Sequence, residues 1–431
     1  MAERFPLQSM EPVPERAIVV GADLPHSSWD IEDTLAELER LVDTDGAVVV
    51  ERVTQRISKP NPATFIGEGK AKEIAELCTA LDANLVVFDE ELTPSQQSKL
   101  EKIMGPKVKV IDRTALILDI FALHATSREG KLQVRLAQNQ YLYPRLRGMW
   151  QHLASNRMGG GVGSRFGEGE SQLEVDRRIV RNRISKIRRE LKEIDKNRNV
   201  QRSQRNRSDT LRIALVGYTN AGKSTLLNAL CGTDVLTMDQ LFATLDSTTR
   251  KLSLPEGREV TLTDTVGFIQ KLPTTLIESF KSTLDEIAEA DLLLHVVDSS
   301  SANYLSQMDE VQSILGQIHA EEVPQLLVFN KADALDDEAR GDLSRKYPHA
   351  VVVSALTGDG IPELLARIEK ACAAMDVLMQ VVIPFSEGSL TALAHRKCSI
   401  VEESYEEDGT HMLLRVPAGL EPMFGPYESK N

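Results

Sequence analysis

The chain has 431 residues and a formal net charge of −14 at pH 7. This length predicts two to four domains, each with its own core, and the charge excludes a uniformly basic protein that coats nucleic acid. No uncharged stretch approaches the ~18 residues of a membrane span, and no signal-peptide core is present, so we expect a cytoplasmic protein. Peripheral association with a membrane stays open. The four cysteines form no Cys-x-x-Cys pair, and we expect them to be reduced.

Residues 1–15 contain Pro and Glu and are expected to be flexible. Residues 16–125 alternate short apolar runs with amphipathic segments, which predicts a small α/β subdomain with a parallel sheet. Residues 65–70, with the sequence Phe-Ile-Gly-Glu-Gly-Lys, precede a predicted helix. A simple turn is the favoured interpretation of this segment, and an anion or RNA contact is the alternative.

Residues 126–208 predict a helical hairpin, because apolar side chains recur at spacings of three and four on both sides of a glycine-rich loop. Residues 177–212 contain 14 Lys or Arg and 4 Asp or Glu, a local charge of +10. This asymmetry favours contact with a polyanion such as RNA over an ordinary solvated helix face. The residues predicted to contact RNA lie in the loop: Arg157, Gly159, Gly160, Gly161 and Arg165.

A phosphate-binding loop at residues 217–224 separates a predicted strand, 211–216, from a predicted helix, 223–230. Its backbone N–H groups and the helix N-terminus favour a bound anion. We expect Lys223 to contact the β- and γ-phosphates and the Ser224 hydroxyl to ligate Mg²⁺. The flanking strand and helix argue against a chance glycine-rich turn.

Residues 330–333, Asn-Lys-Ala-Asp, follow a predicted buried strand at 325–329 and select guanine. The carboxylate of Asp333 can accept hydrogen bonds from both N1–H and N2–H of guanine, and adenine offers neither donor there. Asn330 can contact the other edge of the base, and the Lys331 stem can cover its face. Ser354, Ala355 and Leu356 follow another predicted strand and supply a further base-contacting loop.

Two segments between these motifs predict a nucleotide-dependent switch. Asp264 ends a predicted strand and is placed to hold the Mg²⁺ shell through water, while Gly267 can donate its N–H to the γ-phosphate. Upstream, a Thr-rich stretch offers Thr244, Thr248 or Thr249 as a further Mg²⁺ ligand. Phe268 occupies the position where many GTPases carry a water-orienting Gln, so we expect slow intrinsic hydrolysis that a partner accelerates.

The predicted fold class is α/β multidomain. A P-loop GTPase domain at 209–375, with a doubly wound and mostly parallel sheet, is preceded by the small α/β subdomain and the helical hairpin. Within the GTPase domain a single helix is predicted at 276–289 and a buried strand at 292–298, and within the N-terminal subdomain a buried strand is predicted at 85–89. A small α+β domain at 376–431 follows, with a predicted strand, a helix and two further strands.

The combination of these segments resembles the HflX family of the Obg-HflX group of GTPases over nearly the whole chain. The residues that carry the resemblance are 65–70, 89–97 (Asp-Glu-Glu-Leu-Thr-Pro-Ser-Gln-Gln), 110–114 (Val-Ile-Asp-Arg-Thr), 132–147, the glycine-rich loop, the P-loop and 242–246 (Phe-Ala-Thr-Leu-Asp). The N-terminal segments among them are not shared by GTPases in general. Phe268 also matches the family.

The resemblance implies a GTP-hydrolysing factor that binds the large ribosomal subunit and its rRNA and dissociates stalled or idle ribosomes under stress such as heat. It assigns the Mg²⁺-ligating threonine to Thr244, which makes the predicted metal ligands Ser224, Thr244 and Asp264 and the predicted catalytic residues Lys223, Thr244 and Gly267. It also implies ATP binding at the N-terminal region in some members. We expect a monomer. A ribosome-assembly GTPase is the alternative, and an RNA-binding module with a structural nucleotide is a third interpretation.

The predicted GTP-binding residues are Gly217, Tyr218, Thr219, Asn220, Ala221, Gly222, Lys223, Ser224, Thr225, Phe242, Ala243, Thr244, Leu245, Asp246, Asp264, Thr265, Val266, Gly267, Asn330, Lys331, Ala332, Asp333, Ser354, Ala355 and Leu356.

Overall fold

The computed structural model describes residues 14–25, 29–155, 172–205, 210–232, 241, 242, 245, 247–417 and 419–429. The chain divides into two compact units. The first contains the described residues up to Glu190 together with Pro273–Ser279, and the second contains Leu191–Leu272 and the chain from Phe280 onward. No helix among the described residues has both the length and the apolar character that crossing a membrane requires.

The regular elements before residue 210 are β1 (Arg16–Asp23), α1 (Ile31–Thr44), β2 (Val48–Arg56), α2 (Glu68–Ala80), β3 (Leu85–Phe88), α3 (Pro94–Met104), β4 (Lys109–Asp112), α4 (Arg113–His124), α5 (Arg128–Ser155) and α6 (Gln172–Arg205). The later ones are β5 (Leu211–Gly217), α7 (Lys223–Cys231), β6 (Thr248–Ser253), β7 (Glu259–Asp264), α8 (Thr274–Ser279), α9 (Lys281–Ala288), β8 (Leu292–Asp298), α10 (Tyr304–Gln317), β9 (Gln325–Asn330), α11 (Asp337–Lys346), β10 (Val351–Val352), α12 (Ile361–Ala374), β11 (Val377–Ile383), α13 (Gly388–Lys397), β12 (Ser399–Glu406), β13 (Gly409–Val416) and α14 (Glu421–Phe424).

The first unit is built on a four-stranded parallel sheet in the order β2-β1-β3-β4. All four residues of β3 and the middle of β1 are buried and apolar, as expected of strands covered by helices on both faces. Helix α3 begins with a capping box between Thr93 and Gln96 and has Pro94 in its first turn, which explains its sharp start. The predicted N-terminal α/β subdomain therefore has the expected parallel sheet.

Buried charges lie at the carboxyl ends of β3 and β4. The guanidinium of Arg113, 2% exposed, pairs with the carboxylates of Asp89 and Glu37, which are equally buried. Since a charge removed from water is tolerated only when paired, these three side chains must be ordered together.

The carboxylate of Asp112 joins four parts of the first unit. It accepts hydrogen bonds from the backbone N–H of Leu92 (3.0 Å) and Ala115 (2.9 Å), from the Tyr141 hydroxyl (2.9 Å) and from the Arg145 guanidinium (3.2 Å). Arg145 also stacks on the Tyr141 ring and donates to the Leu92 carbonyl. These contacts fix α5 against the sheet, because Asp112 belongs to β4 and its buried carboxylate bonds two side chains of α5.

Helices α5 and α6 run antiparallel. Arg128 at the start of α5 lies 3.8 Å from Glu190 of α6, whereas Tyr143, further along α5, accepts a hydrogen bond from Arg181 at 2.8 Å. This order is that of the predicted hairpin. Its glycine-rich loop, with Arg157, Gly159, Gly160, Gly161 and Arg165, lies outside the described residues.

The second unit contains a six-stranded sheet in the order β10-β9-β8-β5-β7-β6. All neighbours are parallel except β6, which pairs with β7 in the antiparallel sense. The carboxyl ends of β5, β7 and β9 carry the three strongest motifs of the sequence, so the sheet brings them to one edge. The α/β multidomain fold class with a P-loop domain is thereby confirmed.

A three-stranded antiparallel sheet, β11-β13-β12, follows the P-loop sheet in the same unit. One face packs on α13 and α14 through Met379, Val381, Leu390, Leu414 and Phe424. This arrangement is the α+β tail that the sequence predicts.

Three local predictions differ from the structure. The Thr-rich stretch before β7 contains a strand, β6, in which Thr249 shares a hydrogen bond with Thr263. The predicted single helix at 276–289 is two helices, α8 and α9, separated at Phe280, and α8 belongs to the first unit. Helix α11 was not predicted; Asp336 caps its N-terminus by accepting from Ala339 N–H.

Candidate nucleotide-binding site

The loop between β5 and α7 has the geometry that phosphate binding needs. Gly217 and Gly222 have φ values of +155° and +87°, which L side chains rarely adopt. A Cβ atom on Gly217 would lie 2.2 Å from the carbonyl oxygen of Val296, and one on Gly222 would lie 2.2 Å from Asn330 Nδ2. Only glycine fits at the two ends of this loop.

Lys223 is 6% exposed, and its ammonium group donates to the carbonyl oxygens of Tyr218 (2.8 Å) and Gly217 (3.2 Å). Burial lowers the pKa of Lys223 to about 8, and the nearby carboxylate of Asp264 opposes that lowering. A phosphate would provide this ammonium with a negative partner in place of the neutral carbonyls.

Ser224 and Asp264 meet as the sequence predicts for metal ligands. The Ser224 hydroxyl donates to Asp264 Oδ2 at 2.5 Å, and Asp264 is 1% exposed. A hydroxyl and a carboxylate oxygen beside a phosphate loop form the ligand set that Mg²⁺ takes, completed by phosphate oxygens and water. These residues therefore fit Mg²⁺.

The loops after β9 and β10 are tied to the P-loop through one side chain. Asn330, 2% exposed, donates from Nδ2 to the Ala221 carbonyl and accepts at Oδ1 from the Ala355 N–H, both at 2.9 Å. The sequence predicts that Asn330 faces the base, but its amide is engaged with two loops. Asp333 accepts a hydrogen bond from the Ser354 hydroxyl at 2.5 Å, which orients the carboxylate expected to recognise guanine.

The remaining base-side residues lie close to this pair. Lys331 adopts a left-handed conformation (φ +63°) and pairs with Asp298 at 2.8 Å. Ala332 donates its N–H to the Val353 carbonyl at 3.1 Å, and Leu356 is 78% exposed. The structure thus brings residues 330–333 and 354–356 together at one edge of the sheet.

The segment after Asp264 lies along the P-loop. Thr219 N–H donates to the Phe268 carbonyl (2.7 Å), Phe268 N–H donates to the Gly217 carbonyl (3.1 Å), and Gln270 N–H donates to the Tyr218 hydroxyl (2.8 Å). A Cβ built on the intervening Gly267 would lie 2.9 Å from Thr219 Cα and 3.0 Å from Lys223 Nζ. This conformation holds residues 265–270, the switch segment, against the phosphate loop.

Part of the predicted site falls outside the described residues. Ala243, Thr244 and Asp246 are not described. The neighbouring Phe242 and Leu245 are described and are each 2% exposed. Thr248 and Thr249, the alternatives to Thr244, belong to the antiparallel strand β6.

Two buried polar residues near the site were not predicted. His295 on β8 is 2% exposed; burial, followed by the charge of Lys223, lowers its pKa to about 4. Gln270 is 1% exposed. His295 lies within an apolar run and Gln270 directly follows one, and a polar residue that stays buried at such a position was the available signal.

Three protein-family models match successive parts of the chain. One described as "GTP-binding GTPase N-terminal" matches residues 32–122, and one described as "GTP-binding GTPase Middle Region" matches 124–205. The third, described as "50S ribosome-binding GTPase", matches 212–331. Their order follows the α/β sheet, the helical hairpin and the P-loop sheet along the chain.

Curated relatives match at nearly full length. The chain is 45% identical to "GTPase HflX" of Alkalihalophilus pseudofirmus over 91% of each chain. It is 45% identical to "GTPase HflX" of Caldanaerobacter subterraneus subsp. tengcongensis, covering 93% of this chain and 91% of that one. Its identity to "GTPase HflX" of Escherichia coli (strain K12) is 44%, over 90% of each.

Proposed function

This chain belongs to the HflX family of GTPases, and on that premise we propose that it uses GTP binding and hydrolysis to act on the large ribosomal subunit and to dissociate stalled or idle ribosomes under stress such as heat. The observation that carries the proposal is the match of residues 212–331 to a family model described as "50S ribosome-binding GTPase". The basic second helix of the hairpin supports it independently.

We assign the nucleotide to the edge where the P-loop, residues 330–333 and residues 354–356 meet. Lys223 would exchange its two carbonyl partners for the β- and γ-phosphates. Asp333, held by Ser354, would accept from N1–H and N2–H of guanine. Because Asn330 ties the phosphate loop to the base loop, both ends of the nucleotide would be bound by one connected set of residues.

Ser224 and Asp264 would hold Mg²⁺, Asp264 through water, with Thr244 as the third ligand that the family motif assigns. The ion would neutralise charge on the β- and γ-phosphate oxygens. Gly267 would donate its N–H to the γ-phosphate. Since Phe268 cannot orient water by hydrogen bonding, we expect slow hydrolysis by the isolated protein and faster hydrolysis on the ribosome.

The described part of α6 presents cations to solvent. Val180 and Ile187 are buried, whereas Arg178 and Arg189 lie on the other side of the helix and are exposed. These two arginines are 11 residues apart, about 16 Å along a helix, which suits contacts with separate phosphates of an rRNA backbone. We propose rRNA contacts for the glycine-rich loop with Arg157 and Arg165 as well.

The decisive measurement is GTP turnover with and without large ribosomal subunits, together with sedimentation of intact ribosomes after addition of the GTP-loaded protein. We expect strong stimulation of turnover and loss of intact ribosomes. Subunits that change neither turnover nor nucleotide affinity would contradict the proposal.

A charge-reversal pair tests the basic surface. R178E/R189E should weaken subunit binding by at least about tenfold at moderate salt and reduce the salt dependence by about one unit per lost phosphate contact. The matched control is R345E/K370E, which reverses two exposed cations on α11 and α12. Equal loss of binding in both variants would argue for a net-charge effect rather than a defined surface.

The alternative function, ribosome assembly, predicts a different pattern in the same experiments. Precursor particles would build up when the protein is depleted, and the GTP-loaded protein would leave intact ribosomes whole. ATP binding at the N-terminal region stays a prediction, and a nucleotide at the carboxyl ends of β3 and β4 would have to displace the Arg113 pairs. We propose a cytoplasmic, monomeric protein.

A further inference from the structure

Gln270 carries an amide that is buried without a partner. Its side chain is 1% exposed, and among the described residues neither Oε1 nor Nε2 has a hydrogen-bond partner. A glutamine amide offers two donors and an acceptor oxygen with two lone pairs. Since a buried polar group without a partner is disfavoured and rare, this side chain requires an explanation.

The backbone of Gln270 is firmly placed. Its N–H donates to the Tyr218 hydroxyl at 2.8 Å, and two residues earlier Phe268 is paired with Gly217 and Thr219 of the P-loop. Lys271, which follows, adopts φ +56°, so the chain turns directly after Gln270. The unpartnered amide is therefore part of the switch segment that is hydrogen-bonded to the phosphate loop.

The contacts of this segment use groups that a nucleotide needs. The N–H of Thr219 is donated to the Phe268 carbonyl, and Lys223 is held by P-loop carbonyls. Gly267 lies close to the same ammonium, since a Cβ built on it would be 3.0 Å from Lys223 Nζ. A triphosphate that takes the Thr219 N–H and the Lys223 ammonium would break the bond from Thr219 to Phe268 and so displace Gly267, which directly precedes Phe268. Gln270, two residues after Phe268, would then leave its buried position when GTP binds.

We propose that Gln270 orients the attacking water in GTP hydrolysis and supplies the polar group that Phe268 cannot. In this step the water oxygen forms a bond to the γ-phosphorus, the bond from the γ-phosphorus to the β–γ bridging oxygen breaks, and GDP leaves. The proton of the water passes to the released phosphate. Gln270 Oε1 accepts a hydrogen bond from the water and gains or loses no proton. The inference rests on the GTPase activity of the family, not on the ribosomal role.

The experiment compares two buried glutamines, one whose side-chain amide has no hydrogen-bond partner and one whose amide is hydrogen-bonded at both the oxygen and the nitrogen. Gln270→Met removes an amide without partners, whereas the control, Gln96→Met, removes one that bonds Thr93 and the Asn61 carbonyl. We expect Q270M to unfold at the same or a higher temperature than the wild type and Q96M at a lower one. At a temperature where all three are folded, single-turnover hydrolysis by Q270M should fall by about 10²-fold, while Q96M keeps the wild-type rate.

Two further readouts separate water orientation from a structural role. The dissociation constants of Q270M for GTP and GDP should match those of the wild type, and its complex of GDP with aluminium fluoride should form poorly. Gln270→Asn, which keeps the amide but moves it back by one methylene, should lose hydrolysis in the same way and serves if Q270M does not fold. Wild-type hydrolysis by a folded Q270M or Q270N, measured with and without large ribosomal subunits, would overturn the inference. Because this readout is chemistry after binding, it is independent of whether ribosomes stimulate the protein.

Discussion

Asn330 is the residue whose removal should most directly disconnect the two ends of the nucleotide site. Its amide bonds the Ala221 carbonyl of the P-loop and the Ala355 N–H of the base loop, each at 2.9 Å, and the residue is 2% exposed. In Asn330→Ala both backbone groups lose their partner without gaining access to water.

The expected magnitude follows from those two bonds. Each buried group left without a partner costs about 1–3 kcal/mol, so N330A should lower the free energy of unfolding of the second unit by about 2–6 kcal/mol. Loops that are no longer tied must be ordered by the ligand, so GDP affinity should fall at least tenfold, or about 1.4 kcal/mol. Asn330→Asp keeps the acceptor for Ala355 but turns an oxygen toward the Ala221 carbonyl, so we expect a loss of affinity at least as large.

Urea denaturation of the nucleotide-free protein and titration with a fluorescent GDP analogue measure the two quantities. The matched control is Asn303→Ala, because the Asn303 side chain makes no capping bond at the start of α10; it should change stability by less than about 0.5 kcal/mol. If N330A behaved like N303A in both assays, the connection between the loops would not matter for stability or binding, and the reasoning would be refuted.

Three other predictions concern single groups of the site. Asp333→Asn should weaken GTP binding by about 10²-fold and allow xanthosine triphosphate to compete, because an amide N–H can donate to the xanthine 2-carbonyl; competition titration measures this. His295 has a pKa of about 4 in the fold and an ordinary value of 6.5, so the unfolded chain binds a proton first and stability should fall by about 3 kcal/mol as pH drops from 6.5 to 4. His295→Leu should flatten that part of the pH–stability curve. Lys223 has a pKa of about 8 without phosphate, so GDP affinity should fall about tenfold per pH unit above 8, where binding requires proton uptake, which calorimetry in two buffers detects.

The sequence predicted the parts of the fold that depend on apolar periodicity. Strands β3, β5, β8 and β9 are buried apolar runs, and each was predicted within one or two residues. Strand β6 was missed because it lies at the sheet edge and only Leu252 of its six residues is buried, so its composition is that of a loop. The break between α8 and α9 was missed because apolar residues keep helical spacing across Phe280.

The candidate site was predictable where function depends on the type of side chain. The ammonium of Lys223, the hydroxyl of Ser224 and the carboxylate of Asp264 indicate phosphate and Mg²⁺ binding by their chemical type alone. The order of the strands in the sheet places them together. The double role of Asn330 was not predictable, because its partners are backbone atoms that exist in every residue. The unpartnered amide of Gln270 is likewise a property of its surroundings in three dimensions.

The carboxylate of Asp112 has a mechanical consequence for the first unit. At the end of β4 it bonds the loop after β3, the start of α4 and two side chains of α5, so α5 cannot move relative to the sheet without breaking several bonds at once. Beyond Arg145 the helix continues for ten residues to Ser155, about 15 Å. Pro144 interrupts the backbone hydrogen bonding of α5. The bonds of Tyr141 and Arg145 to Asp112 hold the helix on both sides of that point, so the same carboxylate that positions α5 also supports it where it is weakest.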